Sequence, residues 1–157
     1  MQFVLPAAPG LRAMVARAAQ RSGLGSALRV VSGQSHAALA ACDVSLIASG
    51  TATLEAALFK RPMVIAYNMH WLSWQMMRRQ RLQPWVGLPN ILCGDFVVPE
   101  LLQQAATPRA LARAVLAWFE APERMAAVQQ RFAELHLQLR LDTATLATDA
   151  IQSVLES

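Results

Sequence analysis

The sequence predicts an α/β fold, a parallel sheet followed by a helical tail, and three observations carry that prediction. Short apolar, β-branched runs alternate with segments of helical spacing over residues 1–106. One of those runs, Val44–Ala48, passes directly into a Ser49-Gly50 turn and then a helix. From Thr107 onward the periodicity is helical throughout. Strands separated by helices pair in parallel through right-handed crossovers, which place all strand ends, and any ligand, along one edge of the sheet.

Gln2–Leu5 is a short apolar run ended by Pro6, and Leu11–Gln20 has helical spacing ended by Ser22, Gly23 and Gly25. Leu28–Val31 reads as the second strand, broken at Ser32-Gly33, and Ser35–Ala41 as a short helix capped by Ser35. Val44–Ala48 is the third strand and Thr51–Phe59 the helix after it, stopped by Arg61-Pro62; Met63–Tyr67 is the fourth strand. His70–Leu82 is amphipathic and helical until Gln83-Pro84. Leu88–Pro99 reads as irregular, with two prolines, a glycine and the short apolar piece Phe96–Val98. Thr107-Pro108 is an N-cap followed by proline at the first helical position, opening a helix to Phe119. Ala121-Pro122 opens another through Arg140, and Asp142 or Thr143 caps a last helix to Leu155. There is no internal repeat. The division is residues 1–106 as the sheet-bearing unit and residues 107–157 as helices packing on it or on a partner.

Composition narrows the function classes. Hydrophobic residues are 55% of the chain and charged residues only 15%, which suits an apolar partner surface such as a membrane, a second domain or a subunit. No apolar run reaches the roughly 20 residues that cross a bilayer, and Met1–Gly10 lacks the basic-then-apolar pattern of a signal peptide, so a cytoplasmic location is expected. The net charge of +4 favours anionic partners, yet no Lys/Arg tract of nucleic-acid type is present. Cys42 and Cys93 are isolated, without metal-ligand spacing, and read as buried thiols; no metal or cofactor is implied.

The chemistry concentrates in Val44–Tyr67. A buried strand enters a turn at Gly50, where a ligand can approach the backbone closely, and the free N–H groups of the following helical turn form an anion site. Ser49, Thr51 and Thr53 add hydroxyl groups to that edge. Glu55 lies one turn after Thr51 on the same helix face, where a carboxylate accepts two hydrogen bonds from a ribose diol. Phosphate at the helix end and ribose at the carboxylate describe a nucleoside diphosphate lying across the strand ends. The same spacing also fits plain helix capping by Ser49 and Thr51 with Glu55 in solvent. The Gly-x-x-x-x-Gly-Lys loop of P-loop proteins is absent.

Ser49-Gly-Thr-Ala-Thr-Leu-Glu55 followed by Arg61-Pro-Met-Val64 resembles the donor-binding segment of lipid-A-disaccharide synthases. The likeness continues through Leu88-Pro-Asn-Ile-Leu92, Val98-Pro-Glu-Leu-Leu-Gln103, Thr107-Pro108 and Phe132-x-x-Leu-His136, covering nearly the whole chain in family order. The resemblance implies the Rossmann-like carboxyl-terminal half of a GT-B glycosyltransferase, here incomplete. It implies that Ser49, Gly50, Thr51 and Thr53 meet a UDP diphosphate and Glu55 the ribose, with Asn90 at the same cleft and Glu100 and Gln103 beside it. The implied reaction moves diacylglucosamine from UDP-2,3-diacylglucosamine to diacylglucosamine 1-phosphate, at the cytoplasmic face of the inner membrane.

Family members are longer, and they open the donor domain with a Leu-Pro-Gly-Ser-Arg loop. Phe3-Val-Leu-Pro6 matches an internal strand, so the opening strand and helix, a phosphate-binding arginine and the acceptor half with its general base are expected elsewhere, in a complementary amino-terminal half. A homo-oligomer, a non-catalytic UDP-binding fragment and the donor domain of another UDP-sugar transferase or epimerase are the alternatives. Little catalysis is expected of the isolated chain. Finally, His70–Leu82 sets Trp71, Trp74 and Met77 beside Arg78, Arg79 and Arg81. That pattern suits a lipid interface or an ordinary core stripe with a solvated basic end.

Overall fold

The computed structural model describes residues 1–48, 50–80 and 83–156, without the side chains of residues 77, 78 and 80. Two parallel sheets are formed. The first pairs β1 (Phe3–Ala7) with β2 (Leu28–Ser32), with Phe3 opposite Leu28 and Ala7 opposite Ser32. The second has the order β3 (Ser45–Ala48), β4 (Met63–Tyr67), β5 (Glu100–Leu102), with Ala48 opposite Ala66 and Tyr67 opposite Leu102. Helices supply the crossovers: α1 (Arg12–Arg21) between β1 and β2, α2 (Ser35–Ala41) between the sheets, and α3 (Thr51–Leu58) between β3 and β4. After β4 come α4 (Trp71–Gln80) and α5 (Leu88–Cys93), and after β5 the tail helices α6 (Pro108–Phe119), α7 (Pro122–Leu139) and α8 (Thr143–Leu155). The predicted α/β architecture with a parallel sheet is therefore the one observed.

β4 is the spine of the core. Met63, Val64 and Ile65 are fully buried on both faces, as a central parallel strand between helices must be. Ala56 and Ala57 of α3, Val98, Trp118 of α6 and Val128, Phe132 and Leu135 of α7 complete the same cluster. The Trp118 indole N–H donates to the Met63 carbonyl (3.2 Å), and the Arg124 guanidinium lies 4.5 Å above the Trp118 ring. The Lys60 ammonium reaches His136 Nδ1 at 2.6 Å, fastening the end of α3 to α7. The tail helices α6 and α7 thus share one core with the second sheet, whereas every described residue of α8 is exposed.

Two local expectations are corrected. Ser35 is the first residue of α2 and caps nothing; Gln34 holds the cap position without a side-chain bond. Leu88–Pro99 is not irregular throughout. Pro89 sits in the first turn of α5, where its missing N–H costs nothing, and Gly94 ends the helix in the left-handed conformation (φ 64°). The capping expectations at the tail hold: Thr107 accepts from the Ala110 N–H at 3.2 Å, and Asp142 from the Thr145 N–H at 3.3 Å. The thiols of Cys42 and Cys93 are half-buried rather than buried, and burial raises the pKa of each above its ordinary value.

Candidate functional site

Because Ala48, Ala66 and Leu101 share one register across the second sheet, the segments that follow β3, β4 and β5 emerge along a single edge. Those segments are the turn into α3, the Asn68–His70 approach to α4, and Gln103. Convergence at the carboxyl ends of parallel strands is where open α/β sheets bind ligands.

Gly50 is the N-cap of α3, with φ 136° and ψ −167°, a conformation that side-chain-bearing residues rarely adopt. A Cβ there would meet no atom within 4 Å, so the requirement for glycine is conformational and the turn is open to approach. Among the described residues no side chain caps α3. Thr51 is exposed at its first position. Thr53 is fully buried, and its hydroxyl donates back to the Gly50 carbonyl at 2.7 Å. Thr53 therefore braces the turn from beneath. Ser49 lies outside the described residues.

Glu55 projects from α3 with its side chain 42% exposed, and His36 Nε2 of α2 lies 3.3 Å from its Oε2. The His36 ring also stands 5.9 Å from that of Phe59. Nothing in the sequence marked His36, because its partner is brought near only by the crossover between sheets.

Asn90 and Glu100 form one polar lock. Asn90 is fully buried, and its Oδ1 accepts from the N–H groups of Val97 and Val98, both at 2.9 Å. Its Nδ2 donates to the Val98 carbonyl (2.9 Å) and to Glu100 Oε1 (2.8 Å). The Glu100 carboxylate also accepts from the N–H groups of Val86 (2.9 Å) and Gly87 (2.8 Å). All four hydrogen-bonding positions of the Asn90 amide are taken, so both residues hold the Trp85–Pro99 segment in place. Gly87 is required there: an added Cβ would overlap Ile65 Cδ1 and stand 2.9 Å from Glu100 Oε1.

Gln103, just past β5, has φ 52°, and its buried Nε2 has no hydrogen-bond partner among the described residues. A strained backbone and an unsatisfied amide at a strand end are costs that a structure tolerates where something else uses the group. On α4, Trp71, Leu72 and Met76 are exposed with Arg79, and Trp74 is half-buried. The Arg78 side chain lies outside the described residues. The structure thus places Gly50, Thr51 and Gln103 along one edge with Glu55 one turn away, and turns Thr53, Asn90 and Glu100 inward as supports. Among the described residues no cluster of His, Cys, Asp or Glu is arranged to hold a metal, and no helix is long and apolar enough to cross a membrane.

The sequence model of the lipid-A-disaccharide synthetase family matches residues 1–153. A lipid-A-disaccharide synthase of Albidiferax ferrireducens is 64% identical over 99% of this chain and 41% of its own length. Those of Verminephrobacter eiseniae and Thiobacillus denitrificans are 57% and 54% identical over 99% and 100% of the chain, and over 41% and 42% of their own lengths. The chain spans about two fifths of the length of these curated relatives. With a match over nearly every residue, the chain belongs to the lipid-A-disaccharide synthase family of glycosyltransferases.

Proposed function

We propose that residues 1–157 are the UDP-sugar-binding portion of a lipid-A-disaccharide synthase. The observation that carries this reading is the open Gly50-Thr51 turn at the head of α3, with Glu55 one helical turn on, inside a chain that matches the family from end to end. The diphosphate lies against the N–H groups of Gly50, Thr51 and Ala52, the Thr51 hydroxyl and Ser49; the Thr53 N–H is already bonded to the Gly50 carbonyl. The ribose diol hydrogen-bonds to Glu55, held in place by His36, and Gln103 offers its amide from the neighbouring strand end. Asn90 and Glu100 fix the wall of the cleft.

In the reaction the 6-hydroxyl oxygen of 2,3-diacylglucosamine 1-phosphate attacks the anomeric carbon of the UDP-sugar. The bond from that carbon to the diphosphate oxygen breaks, UDP leaves with the electron pair, and the hydroxyl proton passes to a general base. Charge grows on the departing diphosphate, where the N–H groups and dipole of the α3 amino terminus stabilise it. The base and the acceptor site belong to the remainder of the synthase, so catalysis requires that complement. The exposed Trp71, Leu72, Met76 and Arg79 on α4 suit the acyl chains and phosphates of the substrates and of an inner-membrane surface.

The test is calorimetric titration of UDP into the purified chain and into a variant carrying Thr51→Ala with Glu55→Ala. Binding by the parent chain and none by the double variant, with an unchanged helical circular dichroism signal, is the expected result. Retained binding in the variant removes this segment from the site.

A further inference from the structure

We infer, on the donor-site reading above, that His36 is a positioning residue for Glu55 and that its protonation tightens UDP binding as the pH falls from about 8 to about 6. The contact itself is the first observation. His36 Nε2 lies 3.3 Å from Glu55 Oε2, and the imidazole is tilted 45° to the Phe59 ring with centroids 5.9 Å apart. Glu55 and Phe59 are four residues apart, on one stripe of α3. The imidazole therefore lies along that stripe, with Nε2 at the carboxylate.

The second observation is what fixes α2. Arg61 Nη2 donates to the Ala40 carbonyl, Leu39 packs on the main core, and α2 also rests on β1. The His36 and Glu55 side chains are 71% and 42% exposed. A pair so exposed is too weak to hold two elements together, but it suffices to choose between rotamers. The packing of α2 sets the distance, and the imidazole sets the orientation of the carboxylate.

The third observation is the charge around the pair. Glu55 is the only ionisable side chain of α3 and His36 the only one of α2, while β1 and β3 have none. Beyond the end of α3, Lys60 is engaged with His136 of α7 and Arg61 with Ala40. Asp43 and Arg61 act on Cys42, at the opposite end of α2 from His36. α5 and α7 pack on α3 through the cluster that buries Ala56 and Ala57, and Arg131 and Glu134 of α7 pair with each other. His36 is thus the group beside Glu55 whose charge changes near neutral pH.

A neutral imidazole carries one N–H, and in one of its tautomers Nε2 turns a lone pair toward the carboxylate. The imidazolium has an N–H on both nitrogens, so Nε2 always donates to Glu55 Oε2. Oε1 and the second lone pair of Oε2 then stay available to the ribose diol, in one orientation prepared before UDP arrives. The added positive charge also attracts the anionic ligand. Protonation of the terminal phosphate of UDP, with a second pKa of about 6, opposes this trend. A ratio between two proteins cancels that contribution.

The experiment is calorimetric titration of UDP into the 157-residue chain and into His36→Gln, at about pH 8 and about pH 6. Glutamine can donate an N–H to Glu55 at both pH values and is never charged. From pH 8 to pH 6 the ratio of affinities should move about twofold to fivefold in favour of the parent. A ratio that stays constant, or moves toward the variant, overturns the role of His36 and leaves the donor site in place. No binding by either protein at either pH overturns the donor reading itself. In the unliganded chain the Glu55 carboxyl carbon resonance should move between the same pH values in the parent and less in the variant. An equal response in both would break the coupling of His36 to Glu55 without reference to UDP.

Discussion

The two sheets of this chain are built from similar sequence and end in opposite states. Phe-Val-Leu in β1 and Met-Val-Ile in β4 are equally apolar, yet Phe3, Val4 and Leu5 are exposed while Met63, Val64 and Ile65 are fully buried. The difference lies in what covers them. β4 has a strand on each side, with α3, α6 and α7 contributing to the core around it. β1 has one neighbouring strand and the short α2. Strand-forming sequence sets where a sheet forms; the number of covering layers sets where stability resides.

The sharpest way to break the comparison is one truncation in each sheet. Phe132→Ala, which empties the core against which β4 packs, should cost about 3–5 kcal/mol in urea unfolding. Val4→Ala on β1, already half in solvent, should fall within about 0.5 kcal/mol. Equal losses would mean that the first sheet is as firmly built as the second.

Next in size is the lock at the cleft wall. Asn90→Ala strips partners from the buried N–H groups of Val97 and Val98, and each unsatisfied buried group costs about 1–3 kcal/mol. Gly87→Ala, which drives a methyl into Ile65 and Glu100, should cost about 1–3 kcal/mol through overpacking. The same midpoint measurements read both variants, and losses below that range would mean that the segment relaxes freely.

The smallest effect belongs to α8, the least covered helix. Hydrogen bonds from the Thr145 hydroxyl and then its N–H hold the Asp142 carboxyl below its ordinary pKa. A carboxyl depressed in the folded state adds stability above its unfolded pKa, and that stability is lost as pH falls through the folded value. Helical signal from α8 should therefore decline as pH falls below the ordinary carboxylate range. Asp142→Ala should show the lower helicity already at neutral pH and no further loss there from this group; identical acid profiles would remove Asp142 as the cap.

Much of this was legible in the sequence because it is local. β-branched runs at Leu28, Val44 and Met63, the Ser49-Gly50 turn and the prolines at 108 and 122 announce their elements through short-range sterics and capping. The exception was Leu88–Pro99, where two prolines suggested irregular chain. There Pro89 starts a helix, and the three-residue strand β5 exists only because β4 is beside it. The candidate site divides the same way. Gly50 and Thr51 are readable from turn chemistry. The inward roles of Thr53, Asn90 and Glu100, the pairing of His36 with Glu55, and the unpartnered Gln103 amide all depend on contacts between elements distant in sequence. No spacing rule reports those contacts.

The most direct measurement on the central claim is a UDP titration of the ¹⁵N-labelled chain followed amide by amide. Saturable shifts confined to Gly50–Thr53, Glu55 and the Gln103 segment, with α1 and α8 unmoved, are expected. Saturable binding whose shifts fall on α1, α8 or the first sheet instead, or no binding with or without the complementary half, would contradict a UDP site at the head of α3.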